Sequence, residues 1–130
     1  MKAKILSIFT IIGLMVSSSV LASDMPEMAK NNNYCSICHK IDAKSIGPSW
    51  TEISKFYNGK IEHTTSGMTL QQATGGMPVE KFLIKKISTG GHGNWGNQPM
   101  IANDNVYKQT TEAKQKDIKE LVQYILLLAK

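Results

Sequence analysis

Cys35 and Cys38 are the two cysteines of this 130-residue chain, and His39 follows the second directly. This Cys-x-x-Cys-His run limits what the chain can fold into more than any other feature, because it is the attachment signature of c-type haem. The spacing has a chemical reason. Two thiols three positions apart, at the end of a helical turn, each add to one of the two vinyl groups on adjacent haem pyrroles. The next side chain then lies under the iron, so the His39 imidazole becomes the proximal metal ligand. The motif thus predicts one haem c, bound covalently through Cys35 and Cys38, with a domain folded around it.

Three other uses of paired cysteines predict different surroundings. A thioredoxin-like dithiol expects a strand before the motif and βαβ alternation after it, whereas the sequence here is helical and loop-rich. A structural zinc site needs four ligands. His63 and His92 would have to join the cysteines, and their spacing matches no familiar module. A plain disulfide suits an exported protein but leaves the adjacent His39 unexplained.

Export is written in the first residues. Lys2 and Lys4 precede an apolar run over 5–16, broken only by Ser7, Thr10 and Gly13, and residues 17–22 supply a small-residue cleavage site ending Val20-Leu21-Ala22. The run is short for a membrane span of about 20 residues, so 1–22 reads as a cleaved signal peptide rather than a retained anchor. No cysteine stands at the cleavage point for a lipid. Residues 23–130 then form one domain, with no stable membrane insertion expected after cleavage. All fifteen basic residues are lysines; without Lys2 and Lys4, thirteen face ten acids. That mild excess does not point to nucleic acid, which is usually met by a dense basic patch. Lysines gathered on one face would steer docking to an acidic redox partner; spread out, they only solubilise.

Hydrophobic periodicity predicts an all-α chain of about four helices joined by loops. The first runs over 25–34, with Asp24 as N-cap and Glu27 completing a capping box. The second starts at Pro48, carries Trp50, Ile53, Phe56 and Tyr57 on one side, and ends at Gly59. The third starts at Pro78, repeats Val79, Phe82, Leu83 and Ile87, and stops at Gly90-Gly91. The last begins after Thr110 or Thr111 and lines Ile118, Leu121, Val122, Ile125 and Leu128 along one face. No segment reads as a strand. Gly90, Gly91, Gly93 and Gly96 read as turns that let backbone approach the haem, not as a phosphate loop.

A haem carrier needs a second axial ligand. Met25 and Met28 fall in the first predicted helix, where methionine is usually core filler. Met100 lies in the breaker-rich loop 94–100, beside an indole. Met77 also lies on a loop and competes with it; Met68 is the weaker third candidate.

Residues 30–48 and 87–103 resemble the small bacterial class I cytochromes c. In that family a Gly-Pro pair, here Gly47-Pro48, backs the proximal histidine, and the proline carbonyl accepts the hydrogen bond of its outer nitrogen. The family's distal loop, Trp-Gly-x-x-Pro-Met-x-x-Asn, corresponds to Trp95-Gly96-Asn97-Gln98-Pro99-Met100-Ile101-Ala102-Asn103. The resemblance places the sixth ligand at Met100, takes Trp95 to a haem propionate, and sets Asn103 near the ligand sulfur. It implies the class I cytochrome c fold, with first and last helices crossing and Tyr124 near the crossing. Two departures stand out: residues 60–77 exceed the family's equivalent segment, and the stretch after Met100 lacks the usual prolines.

With both axial positions filled by protein, substrate cannot reach the iron, and one-electron cycling is the chemistry left. A thioether ligand stabilises ferrous iron and raises the potential. The expected protein is a monomeric periplasmic electron carrier, without catalytic residues, that docks briefly with redox proteins of the respiratory chain. The alternatives are a haem enzyme or sensor with a labile sixth ligand, and a thiol–disulfide oxidoreductase.

Overall fold

Breaker residues and small polar caps set the helix boundaries. The computed structural model describes residues 25–30, 34–103 and 111–130. A 3-10 turn at Glu27–Ala29 is followed by α1 (Tyr34–Cys38), α2 (Trp50–Tyr57), α3 (Leu70–Thr74), α4 (Val79–Thr89) and α5 (Thr111–Leu127). Among the described residues the one extended pairing is an isolated antiparallel bridge between Gly91 and Met100, so the chain is all-α.

The helix expected to start at Pro48 begins two residues later, as α2 at Trp50. Ser49 is its N-cap, and the Ser49 hydroxyl accepts from the Glu52 N–H at 3.0 Å, satisfying an amide that has no partner within the helix. The helix α4 runs between Pro78 and Gly90, where the sequence places it.

Two elements differ from the sequence reading. The helix expected over 25–34 does not run through: Lys30 is extended (φ −70°, ψ 154°), and Glu27 pairs with the Lys30 ammonium at 2.6 Å. The Asn31-Asn32-Asn33 run that follows is a poor helix former, since asparagine side chains compete for backbone partners. The expected Asp24 cap lies outside the described residues. Helix resumes at α1, over the cysteine motif itself. The second difference is α3, which falls inside the long 60–77 segment. Thr69 and Gln72 cap it reciprocally: each side chain bonds the other residue's backbone N–H.

The core forms where α2 and α4 both pack on α5. Phe56, Ile118, Leu121 and Val122 are wholly buried, flanked by Trp50, Ile53, Leu83, Ile87 and Ile125. The apolar faces of α2, α4 and α5 supply these residues at helical spacing. The N-terminal 3-10 turn also lies on α5 and buries Met28 and Ala29. At the far end, Asn58 Nδ2 donates to the Leu126 carbonyl at 2.8 Å, and the Ala129 N–H donates to the buried Ser54 hydroxyl at 3.0 Å. Side chains of α2 thus satisfy groups that the end of α5 would otherwise leave open.

Candidate functional site

The helix α1 is only five residues long, yet it places both cysteines on a single turn, where they stand as half-buried thiols. The His39 N–H still bonds the Cys35 carbonyl at 2.9 Å, so His39 leaves directly from the helix end. The following loop folds back on the motif. The Gly47 N–H donates to the Cys38 carbonyl, Trp50 to Lys40 and Thr51 to Ile41, each at 2.9 Å. Thr51 Oγ1 adds a 2.6 Å bond to the Asp42 carboxylate.

That fold-back fixes the imidazole. His39 Nδ1 lies 2.7 Å from the Pro48 carbonyl. A carbonyl can only accept, so Nδ1 carries the proton and Nε2 keeps its lone pair for a metal. The Trp50 indole lies nearly parallel to the ring, at 6.5 Å between centroids and 16° between planes. Tyr124 meets Trp50 edge-on at 6.3 Å. Burial holds the His39 pKa below its ordinary value, and the bond to Pro48 offsets part of that shift. Gly47 closes the cradle: a Cβ there would stand 2.6 Å from His39 Cε1 and 3.0 Å from Nδ1. Only a residue without a side chain leaves the ring its place.

On the distal side, residues 91–100 form a closed loop. Gly91 and Met100 exchange both backbone bonds, at 3.1 and 2.8 Å, and the Gly93 N–H donates to the Gly96 carbonyl at 2.8 Å. At the loop base Gly90 has φ +70°, and a Cβ there would run into the Met100 carbonyl and the Ala102 backbone. Trp95 lies edge-on to the wholly buried Phe56 at 5.5 Å. Burial raises the Tyr57 pKa, while hydrogen bonds from Asn94 and Trp95 to its phenol pull it back. Met100 is half-buried against the core, and Asn103 is buried three residues on.

His63 and His92 are exposed, and among the described residues no group of three or more His, Cys, Asp or Glu side chains assembles into a metal site. Met77 sits between α3 and α4, where its N–H bonds the Thr74 carbonyl. Two features carry no signal in the helical periodicity. Lys86 is half-buried on α4, where burial lowers its ammonium pKa, and a Cβ on Gly91 would lie 3.0 Å from its Nζ. The 64–66 turn packs its hydroxyls on the distal loop; Thr65 and Ser66 donate to carbonyls of residues 93–95.

These donors suit a haem. Two thiols on one helical turn match paired thioether attachment, a tautomer-fixed imidazole presents Nε2, and a soft thioether is offered from a closed loop. The glycine cradle at Gly47 leaves room for the imidazole at the position from which it would meet iron.

No family model matches the chain. It is 33% identical over 88 residues to cytochrome c-551 of Azotobacter vinelandii, spanning 68% of this chain and 82% of that protein. It is 30% identical over 128 residues to cytochrome c-552 of Nitrosomonas europaea, which covers 98% of this chain and 99% of the relative. The crystal structure of wild-type Nitrosomonas europaea cytochrome c552 superposes with a TM-score of 0.50 at 29% identity, over 75% of this chain and 91% of that one.

Proposed function

Because the chain belongs to the small monohaem class I cytochromes c, we propose that it carries single electrons through a haem ligated axially by His39 and Met100. It is an electron-transfer haem protein with one covalent haem c. In our reading Cys35 and Cys38 form the two thioether links, and His39 binds iron through Nε2. The observation that carries this reading is the proximal cradle: Gly47 leaves space for the imidazole, and the Pro48 carbonyl at 2.7 Å fixes its tautomer.

When bound, the haem supplies reversible Fe(II)/Fe(III) exchange. The chain's part is to hold and shield it. The Pro48 bond and the Trp50 stack keep the His39 ring from turning, and the Gly91–Met100 pair presents the thioether from a fixed base. A site that changes little between two charge states lowers the reorganisation each transfer requires. Trp95 and Asn103 complete the distal side by family pattern, Asn103 toward the Met100 sulfur and Trp95 toward a propionate, for which its single N–H would have to leave the Tyr57 phenol. No residue is assigned a catalytic role.

We further propose that residues 1–22 are a signal peptide removed on export to the periplasm, leaving 23–130 as a monomer that meets its redox partners transiently. Among the described residues no helix is long and apolar enough to cross a membrane.

Optical spectroscopy of the holoprotein tests the ligand assignment. The expected result is a sharp α-band on reduction, and in the ferric protein a weak far-red band from iron–sulfur ligation. Met100→Ala abolishes the far-red band, and Met77→Ala keeps it. Retention of the band in Met100→Ala would rule out Met100 as the ligand.

A further inference from the structure

The long 60–77 segment does not loop freely into solvent; it fastens the distal loop. Ser66 Oγ lies 2.8 Å from the Gly93 carbonyl and 2.6 Å from the Asn94 carbonyl, and Thr65 Oγ1 donates to the Trp95 carbonyl at 3.0 Å. A serine hydroxyl has one proton, which the two carbonyls share. In the 3.1 Å contact between Thr64 Oγ1 and Ser66 Oγ the threonine must therefore be the donor. Thr64 Oγ1 in turn accepts the Met68 N–H at 3.1 Å, and the Thr64 N–H bonds the Met68 carbonyl at 2.9 Å. The turn is thus held in shape by its own bonds before it reaches the loop. From α3, the Ala73 carbonyl accepts Asn94 Nδ2 at 3.0 Å. Three consecutive residues, 93–95, are gripped from outside, five to seven positions ahead of Met100.

We propose that the 64–66 turn is a clasp, with Ser66 and Thr65 as positioning residues that hold the Met100 loop closed over the haem and so set how readily the sixth ligand leaves the iron. This rests on Met100 being that ligand. The loop is fixed at its base by the Gly91–Met100 pair, which moves with the ligand. The clasp bonds tie the loop's middle to a separate part of the chain. If they are lost, the open state gains population, and any added ligand that binds open iron gains apparent affinity by the same factor.

The test is imidazole binding to the ferric holoprotein, followed by loss of the far-red band. A net hydrogen bond is worth about fivefold in such an equilibrium, and these hydroxyls are exposed, so each contributes up to that factor. Ser66→Ala is expected to raise imidazole affinity about three- to fivefold, and Ser66→Ala with Thr65→Val roughly tenfold. Ser66→Thr and Thr65→Ser, which keep the hydroxyls, stay within about twofold of the wild type. Amide exchange at Met100 speeds up in the same variants as imidazole binding. Asn58→Ala serves as the control, because it weakens the anchoring of α5 at Leu126 without touching the loop; it lowers the melting temperature and leaves imidazole affinity unchanged. Equal imidazole affinity in wild type and double variant, with the far-red band present in both, overturns the clasp and spares the ligand assignment. A far-red band absent from the wild type, or one that survives Met100→Ala, overturns both.

Discussion

Phe56→Ala lowers the stability of the holoprotein by roughly 3–5 kcal/mol, the range for removing a large buried aromatic without refilling its space. Phe56 is wholly buried. Its ring meets Trp95 edge-on at 5.5 Å and neighbours Tyr57 at 4.9 Å. These neighbours come from α2 itself and from the distal loop, so refilling the space requires moving that loop against α2. For a domain of this size such a loss lowers the melting temperature by on the order of 20 °C, read by circular dichroism at 222 nm. The same variant removes the wall behind the Trp95 indole, so the near-UV circular dichroism changes before the melt begins. A shift of only a few degrees would mean that the core closes over the gap.

Gly47→Ala has the second largest effect, for a different reason. The backbone there needs no positive φ, so the penalty is purely one of space. The added methyl would lie 2.6 Å from His39 Cε1 and 3.2 Å from Nε2. Those atoms are not the free end of a flexible side chain. The imidazole is bonded to Pro48 at 2.7 Å and lies beside Trp50. Either the ring swings out and gives up the Pro48 bond, or the turn opens and gives up the 2.9 Å bond from Gly47 N–H to the Cys38 carbonyl. Overpacking plus one lost buried hydrogen bond comes to about 3 kcal/mol. The expected holoprotein is recovered in low yield, with an altered ferric spectrum. Gly59→Ala is the matched comparison. Gly59 has φ +70° but open space around its Cα, so the change costs about 1 kcal/mol of backbone strain and leaves the spectrum as it was.

Much of the fold can be read from local punctuation. Pro78 and Gly90 bracket α4 because one suits a helix entry and the other its exit, and the α5 stripe from Ile118 to Ile125 has a period that only a helix presents to one side. The proximal half of the candidate site is legible for a similar reason, since its parts lie within residues 35–50. The rest depends on contacts between distant residues. α3 is too short to show periodicity, although Thr69-x-x-Gln72 is a capping signature in plain view. The 64–66 turn reads as ordinary polar loop, because the carbonyls it grips lie 27 to 30 residues further on. The first helix is not legible in this way: the capping pattern around Glu27 starts only a single 3-10 turn, which ends at the extended Lys30.

The fastening of the last helix has a consequence for the order in which the molecule comes apart. C-terminal helices usually peel from their free end, where the last carbonyls have no partner. Here that end is tied to Asn58 and Ser54, and every buried side chain of α5 lies from Ile118 onward. Its first turns, beginning with the exposed Thr111 and Glu112, bury no side chain fully. The protection of α5 amides is therefore expected to be highest between Ile118 and Leu127, where burial and these ties coincide.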